Sequence, residues 1–156
     1  MIQKEDTAPD FTLFNTDKQT VTLSEQRESN VLLLFFPLAF TSVCTAELCS
    51  VRDSFKIYEG LQAKPFGISV DSPYTLARFK EDQRLNFALL SDFNKEVSSA
   101  YGALYETFKF GMKGVSKRAA FIIDKSGVVQ YAEVLENAGD QPDFPAIREV
   151  LGNLLK

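Results

Sequence analysis

Six consecutive apolar residues at positions 31–36 are the feature that most constrains how this chain can fold. A run of this length predicts a strand buried on both faces, which requires helices on both sides of a sheet. Pro37 ends the run, and the sequence after Ser42 predicts a helix. Strands then alternate with helices, and a hairpin follows late in the chain. We therefore expect an α/β fold with a central mixed β-sheet flanked by helices.

The other elements follow from hydrophobic periodicity and turn residues. Further strands are predicted at residues 11–14, 21–23, 66–70, 88–90, 119–123 and 128–132, the last two joined by a turn. Helices are predicted from Ser42 to Gly60, from Pro73 onward, over residues 95–101, and from Phe144 to Leu154. No linker, repeat or low-complexity tract divides the chain, so we expect a single domain over residues 1–156.

Charge and composition exclude several classes of protein. The chain carries 17 basic and 21 acidic residues, so its net charge of −4 does not favour a nucleic-acid partner. No apolar run is long enough to cross a bilayer, and the polar first residues do not resemble a secretory signal. With only two cysteines, we expect functional thiols and a cytoplasmic location. Since no apolar run can cross a bilayer, we expect no membrane partner.

Histidine is absent from the chain. A Cys–His or Ser–His hydrolase would therefore lack its general base. A zinc site would have only two thiolates and carboxylates as ligands, which is an unusual set. If a cysteine is activated here, the groups available to do so are a helix terminus, backbone N–H groups and an arginine.

Cys44 is the main candidate for such activation, because it lies in the first turn of the predicted helix, just past a strand end. Unpaired N–H groups and the positive end of the helix dipole favour a thiolate at this position. The alternative is an ordinary core cysteine, since Cys44 also belongs to the apolar stripe of its helix. Cys49, five residues later, favours redox chemistry over hydrolysis.

Three neighbours of Cys44 have a structural interpretation as well. Thr41 either caps the helix or places its hydroxyl within hydrogen-bonding reach of a thiolate or a bound oxygen. Pro37 either ends the strand only or also shields the thiolate from water. Glu47 taken by itself fits a solvated acid that the helix dipole favours in a first turn.

These residues resemble the signature of the peroxiredoxins, which are thiol-dependent peroxidases on a thioredoxin-like fold. The family signature places proline, threonine or serine, and cysteine at the spacing of Pro37, Thr41 and Cys44. The similarity continues over nearly the whole chain and includes residues 8–11 and 67–72. The resemblance therefore implies a thioredoxin-like fold and a peroxidase activity.

The resemblance also implies roles for two charged residues. Arg118 matches the active-site arginine of the family, and Glu47 matches an acid that orients this arginine in many members. Arg118 could instead be a surface ion-pair residue, but its place at the start of a buried strand favours an inward-facing guanidinium. The implied reaction is attack of the Cys44 thiolate on hydrogen peroxide or an alkyl hydroperoxide, giving a sulfenic acid. A thioredoxin-type thiol is the implied reductant, and no metal, haem or flavin is required.

Whether Cys49 takes part in the reaction decides the subclass of peroxiredoxin that this chain resembles. On an intact helix, Cα atoms five residues apart are separated by roughly 8–9 Å, beyond the limit of about 7 Å for a disulfide, so a Cys44–Cys49 bond requires unwinding. Resemblance to peroxiredoxin Q, also called bacterioferritin comigratory protein, implies that Cys49 is the resolving cysteine. Val43 stands where many of those members have glycine, and its branched side chain stiffens the turn. The alternative is the one-cysteine mechanism of the similar AhpE-like members, with Cys49 as a bystander.

Two other classes of protein stay open at this point. A thioredoxin-like disulfide exchanger would leave Thr41 and Arg118 without a role, and its cysteines would be closer together. A peroxide sensor or holdase-type interaction protein could use some of the 14 phenylalanines for self-association. Both a monomer and a homodimer are compatible with the sequence. Phe40, Phe108 and Phe110 predict an apolar pocket rim suited to alkyl or lipid peroxides.

Overall fold

The computed structural model describes residues 1–156 and contains one seven-stranded sheet with five helices. The strands are β1 (Thr12–Asn15), β2 (Thr20–Thr22), β3 (Asn30–Phe35), β4 (Ala63–Ser69), β5 (Ala88–Ser91), β6 (Arg118–Ile123) and β7 (Val129–Leu135). The helices are α1 (Ser42–Asp53), α2 (Phe55–Gly60), α3 (Pro73–Gln83), α4 (Glu96–Ala100) and α5 (Phe144–Asn153). None of the helices combines the length and the apolar character that crossing a bilayer requires.

The sheet is mixed, with the strand order β2-β1-β5-β4-β3-β6-β7. The central strands β3, β4 and β5 are parallel, whereas β6 and β7 on one side and β1 and β2 on the other are antiparallel to their neighbours. This arrangement confirms the α/β fold and the central mixed sheet predicted from the sequence.

Strand β3 separates two hydrophobic cores. Leu32 and Leu34 pack on one face of the sheet with buried residues of α1, α3 and α5. Val31, Leu33 and Phe35 pack on the other face in a cluster that includes a residue of α4. All six residues of β3 are buried, which explains why the apolar run shows no alternation with polar residues.

The antiparallel pairing of β3 with β6 positions the site. Phe35 at the end of β3 lies opposite Ala119 near the start of β6. The chain leaves β3 toward α1 at this edge of the sheet, beside Arg118, the first residue of β6. The topology therefore brings the start of α1 and the start of β6 together.

One predicted helix is divided in the structure. The continuous helix predicted from Ser42 to Gly60 is wrong, because α1 ends at Asp53 and α2 begins after Ser54. The Ser54 backbone is non-helical (φ −103°, ψ 15°), and its N–H bonds to the carbonyls of Ser50 and Val51. Serine favours helix ends over helix interiors, although the Ser54 side chain itself makes no capping hydrogen bond here. Apolar spacing alone does not reveal such a break.

Several strand boundaries also differ from the prediction. Strand β1 is shifted one residue toward the C-terminus, β2 ends one residue early, and β4 begins three residues early. Strand β7 continues to Leu135, three residues past its predicted end, because its pairing with β6 continues to Arg118. This longer pairing places the segment after β7 next to Arg118.

Candidate active site

Helix α1 begins with N–H groups that no acceptor in the chain satisfies. Thr41 is the N-cap residue, but its side chain makes no capping hydrogen bond. The first bond of the helix runs from the Thr45 N–H to the Thr41 carbonyl at 2.9 Å, which leaves the N–H groups of residues 42–44 without a partner. All three of these residues line one cavity. Free N–H groups at the positive end of a helix dipole favour an anion there.

The Cys44 thiol is buried at this helix start, with 1% of the residue exposed. Arg118 Nη2 donates a hydrogen bond to Cys44 Sγ at 3.3 Å. Arg118 is equally buried, so its side chain points inward and is not part of a surface ion pair. A guanidinium cation next to the sulfur favours the thiolate over the thiol.

Glu47 holds the other side of the same guanidinium. Arg118 Nη1 donates to Glu47 Oε1 at 2.7 Å, and both side chains are buried, so Glu47 is not a solvated acid. Burial raises the pKa of Glu47 to about 7, although the Arg118 cation opposes this shift. Burial alone would lower the pKa of Arg118, but attraction to Glu47 and Cys44 raises it overall, so the guanidinium stays charged. Glu47 Oε2 has no hydrogen-bond partner.

A backbone carbonyl completes the environment of Arg118. The Ala138 oxygen, between β7 and α5, accepts from Arg118 Nε at 3.2 Å and from Nη2 at 2.9 Å. The guanidinium is thus bound in three directions, by Glu47, Cys44 and Ala138. The sequence does not predict the Ala138 contact, because every residue has a carbonyl and no residue type marks the one that binds Arg118.

A cavity of about 250 Å³ opens over Cys44. Pro37 and Met112 contribute to its apolar wall, together with Phe108 and Phe110. The predicted phenylalanine rim is therefore present for two residues but wrong for Phe40. The Phe40 ring packs instead on Phe79 of α3, with ring centroids 5.1 Å apart.

Thr41 lines the same cavity, but its hydroxyl makes no hydrogen bond to Cys44. The hydroxyl donates to the Leu38 carbonyl at 2.8 Å, which leaves its oxygen free to accept. The segment is also held by Asp71, whose Oδ2 accepts from the Ala39 N–H at 2.8 Å. Asp71 belongs to residues 67–72, which resemble the family, but the sequence does not predict its contact with Ala39, 32 residues away.

Cys49 contacts a different part of the molecule. It is half-buried, and its Sγ donates to Gln83 Oε1 at the end of α3 at 3.6 Å. Both cysteines are free thiols, and α1 is continuous between them. In this state Cys44 contacts Arg118 while Cys49 contacts α3, so the structure does not bring the two sulfurs together.

Comparison with known proteins assigns the family, since the sequence profile of the AhpC/TSA family matches residues 5–132. The chain is a peroxiredoxin of this family. Alkyl hydroperoxide reductase E of Mycobacterium tuberculosis is 41% identical over 131 residues, which is 82% of each chain. The chloroplastic 2-cysteine peroxiredoxin of Chattonella marina var. antiqua is 39% identical over 138 residues, covering 81% of this chain and 68% of that protein.

A solved peroxiredoxin structure has the same fold. The crystal structure of peroxidoxin BcpB from Mycobacterium tuberculosis superposes with a TM-score of 0.86 at 28% identity, covering 100% of this chain and 99% of that one. The expected thioredoxin-like peroxiredoxin fold is confirmed. This peroxiredoxin is accordingly a thiol peroxidase that takes a peroxide as substrate and a thiol as reductant.

Proposed function

We propose that this peroxiredoxin reduces hydroperoxides with Cys44 as the attacking thiol. The observation that carries the proposal is the 3.3 Å hydrogen bond from Arg118 Nη2 to Cys44 Sγ at the uncapped start of α1. Both the cation and the free N–H groups favour the thiolate, which is the nucleophilic form of cysteine. The cavity over Cys44 gives a peroxide access to the sulfur.

The reaction begins with attack of the thiolate on one peroxide oxygen, in line with the O–O bond. The S–O bond forms as the O–O bond breaks, so sulfur loses two electrons and Cys44 becomes a sulfenic acid. The leaving hydroxide or alkoxide takes the bond pair and then a proton from water. Arg118 and the N–H groups at the helix start donate toward the developing oxygen charge.

Neighbouring groups orient the peroxide. The Thr41 oxygen can accept the hydroperoxide O–H, because its own hydrogen is already donated to Leu38. Pro37 is buried and lines the cavity, where it shields the sulfur from water. Glu47 acts through Arg118 by fixing the direction of the guanidinium.

The sulfenic acid is then resolved by Cys49. Attack of the Cys49 thiol on the Cys44 sulfenic acid forms an intramolecular disulfide and releases water. This step requires the first turns of α1 to unwind, because an intact helix holds the two Cα atoms too far apart. A thioredoxin-type dithiol then reduces the disulfide and regenerates both thiols.

A one-cysteine mechanism is the second candidate. The contact that favours it is the hydrogen bond from Cys49 Sγ to Gln83 Oε1, which holds Cys49 away from Cys44. In that mechanism an external thiol attacks the Cys44 sulfenic acid directly, and α1 stays folded. The mass of the oxidised protein separates the two mechanisms, because only the disulfide lacks two hydrogens.

The apolar wall of the cavity supports alkyl hydroperoxides as substrates in addition to hydrogen peroxide. Phe108, Phe110 and Met112 can contact an alkyl group while the peroxide oxygens reach Arg118. The name of the mycobacterial relative, alkyl hydroperoxide reductase E, agrees with this substrate class. We propose a cytoplasmic location, where reducing conditions keep both thiols free.

Cys44→Ser tests the proposal, with Cys49→Ser as its matched control. Consumption of hydrogen peroxide and of an alkyl hydroperoxide is measured with dithiothreitol as the reductant. We expect Cys44→Ser to fall to the rate without enzyme, whereas Cys49→Ser still completes one fast oxidation. Substantial turnover by Cys44→Ser would overturn the assignment of the attacking thiol.

A further inference from the structure

We propose that Tyr105 is a positioning residue for the peroxidase reaction. Its hydroxyl holds the segment of residues 136–139 in place, and the Ala138 carbonyl of that segment directs the Arg118 guanidinium toward Cys44. The inference rests on the proposed function of Cys44 and Arg118. Tyr105 itself does not line the cavity, so it acts only through these groups.

The Ala138 carbonyl is placed to control the reactive face of the arginine. It accepts from Arg118 Nη2 at 2.9 Å, and the same nitrogen donates to Cys44 Sγ at 3.3 Å. The two hydrogens of Nη2 lie in the plane of the guanidinium at a fixed angle to each other. A shift of the carbonyl therefore rotates the hydrogen that points at the sulfur or at a peroxide oxygen.

The segment that carries Ala138 belongs to no helix or strand. Its internal hydrogen bonds shape a turn: Asn137 Oδ1 accepts from the Gly139 N–H at 2.8 Å, and the Asn137 carbonyl accepts from the Asp140 N–H at 3.0 Å. These bonds do not connect the turn to the rest of the molecule. Its position depends on the pairing of β7 with β6, which ends at Leu135, and on contacts made from outside the turn.

Two outside contacts converge on Glu136. The Tyr105 hydroxyl donates to the Glu136 carbonyl at 2.7 Å, and Lys117 Nζ pairs with Glu136 Oε1 at 2.6 Å. The Glu136 side chain is 76% exposed, so water and salt weaken the ion pair. The Tyr105 bond goes to the backbone and fixes the path of the chain two residues before Ala138.

Tyr105 is itself held rigidly. Its N–H donates to the Val115 carbonyl at 2.8 Å, and its carbonyl accepts from the Gly114 N–H at 3.1 Å. Its ring packs against Phe108 of the cavity wall, with centroids 5.0 Å apart, and Lys117 Nζ lies 5.7 Å from the ring centroid. A hydroxyl on such a fixed ring constrains its partner more than one on a mobile side chain does.

Tyr105→Phe removes the hydroxyl and retains the ring. Two rate constants are measured for Cys44: oxidation by hydrogen peroxide, and alkylation by iodoacetamide at a pH where alkylation has reached its plateau. Alkylation at the plateau requires only the thiolate, whereas peroxide reduction also requires oriented donors. We expect the peroxide rate constant to fall roughly threefold to tenfold, as for the loss of one hydrogen bond. The alkylation rate constant should stay within about twofold of wild type.

Tyr101→Phe is the matched control. The Tyr101 hydroxyl also donates to a backbone carbonyl, that of Pro9 at 2.6 Å, but Tyr101 belongs to the core on the opposite face of the sheet. This variant should leave both rate constants unchanged. Asn137→Ala removes an internal hydrogen bond of the Ala138 turn, so it should also lower the peroxide rate constant without lowering the alkylation rate constant. This second variant keeps the test valid if Tyr105→Phe folds poorly.

The outcomes separate this inference from the proposed function. Two results would overturn the positioning role while Cys44 stays the attacking thiol. One is a peroxide rate constant that is unchanged in Tyr105→Phe and in Asn137→Ala. The other is an equal fall of the peroxide and alkylation rate constants in these variants. If wild-type Cys44 itself does not react with peroxide, the proposed function fails. A selective loss in the Tyr105 and Asn137 variants, absent from Tyr101→Phe, supports the inference.

Discussion

Glu47 is the side chain whose protonation most affects the electrostatics of the site. It shares the Arg118 cation with Cys44, and all three side chains are buried. One cation offsets one buried anion, and a second buried anion is costly. Burial accordingly favours the protonated form of Glu47, although the Arg118 cation opposes this. The unpartnered Oε2 is the oxygen that can carry this proton.

Glu47→Gln should flatten the dependence of stability on pH. Burial raises the pKa of Glu47 from its ordinary 4.5 to about 7, so the folded protein holds a proton that the unfolded chain has lost. This contribution to the free energy of unfolding is fully present below the unfolded pKa and is lost as pH rises through about 7. Urea unfolding between about pH 5 and pH 8 should therefore show a falling stability for wild type and a smaller fall for Glu47→Gln.

The control for this prediction is Glu59→Gln on α2, which removes an exposed carboxylate that makes no ion pair. Its stability should follow the wild-type dependence on pH. A wild-type slope that persists in Glu47→Gln would show that the Glu47 proton is not responsible for it.

Among the elements, helix α1 is held less firmly at its first turn than at its last turn. Its first turn has free N–H groups and an exposed N-cap residue, Thr41. Its last turn is bound to the region around the end of α3, where Arg52 Nη1 donates to the Gln83 carbonyl at 2.6 Å and Asn86 donates to the Arg52 carbonyl at 3.2 Å. Unwinding of α1 should therefore start at the end that carries Cys44.

Formation of the Cys44–Cys49 disulfide should unfold the first part of α1 only. After one equivalent of peroxide, we expect a mass loss of two hydrogens and faster amide exchange over residues 41–50, because an intact helix cannot contain this bond. The Arg52 amide should stay protected. Cys49→Ser should stop at the sulfenic acid with slow exchange over the same residues. Unchanged exchange in oxidised wild type would instead support the one-cysteine mechanism.

Across the whole molecule, the sheet separates the site from half of the core. Cys44 belongs to the cluster that contains α1, α3 and α5, whereas Phe121 packs on the opposite face against Phe35 and Tyr101. Interiors are densely packed, so a change in volume is felt mainly by its direct neighbours. Substitutions in the cluster that contains Phe121 should therefore change the stability of the fold without changing the reactivity of Cys44.

Phe121→Leu tests this separation. Loss of aromatic packing should lower the free energy of unfolding by about 1–2 kcal/mol, measured by urea denaturation. The rate constant for Cys44 oxidation should stay within about twofold of wild type, since no group that contacts Arg118 or Cys44 changes. A tenfold slower oxidation in the folded variant would contradict the separation of the two faces.

Local patterns predicted most of the elements because they depend on neighbours in the sequence. Residues 31–35 of the apolar run lie in β3, and α3 begins at Pro73 as predicted, with Ser72 Oγ accepting from the Thr75 N–H at 3.2 Å. The break at Ser54 was missed because the apolar spacing on both sides of it satisfies a single helix. Hydrophobic periodicity reports which face is buried, not where the backbone bends.

By itself, the sequence determined a buried strand followed by a helix with Cys44 in its first turn, since both depend on residues close together in the chain. The family resemblance implied that Arg118 acts at the site, but only the tertiary structure gave its contact with Cys44, 74 residues away, through the antiparallel pairing of β3 with β6. The tertiary structure also showed that the Ala138 carbonyl binds Arg118 and that Glu47 Oε2 is buried without a hydrogen-bond partner. The physical reason is that a chain encodes periodicity and capping locally, whereas the distance between two side chains depends on how the whole sheet is paired.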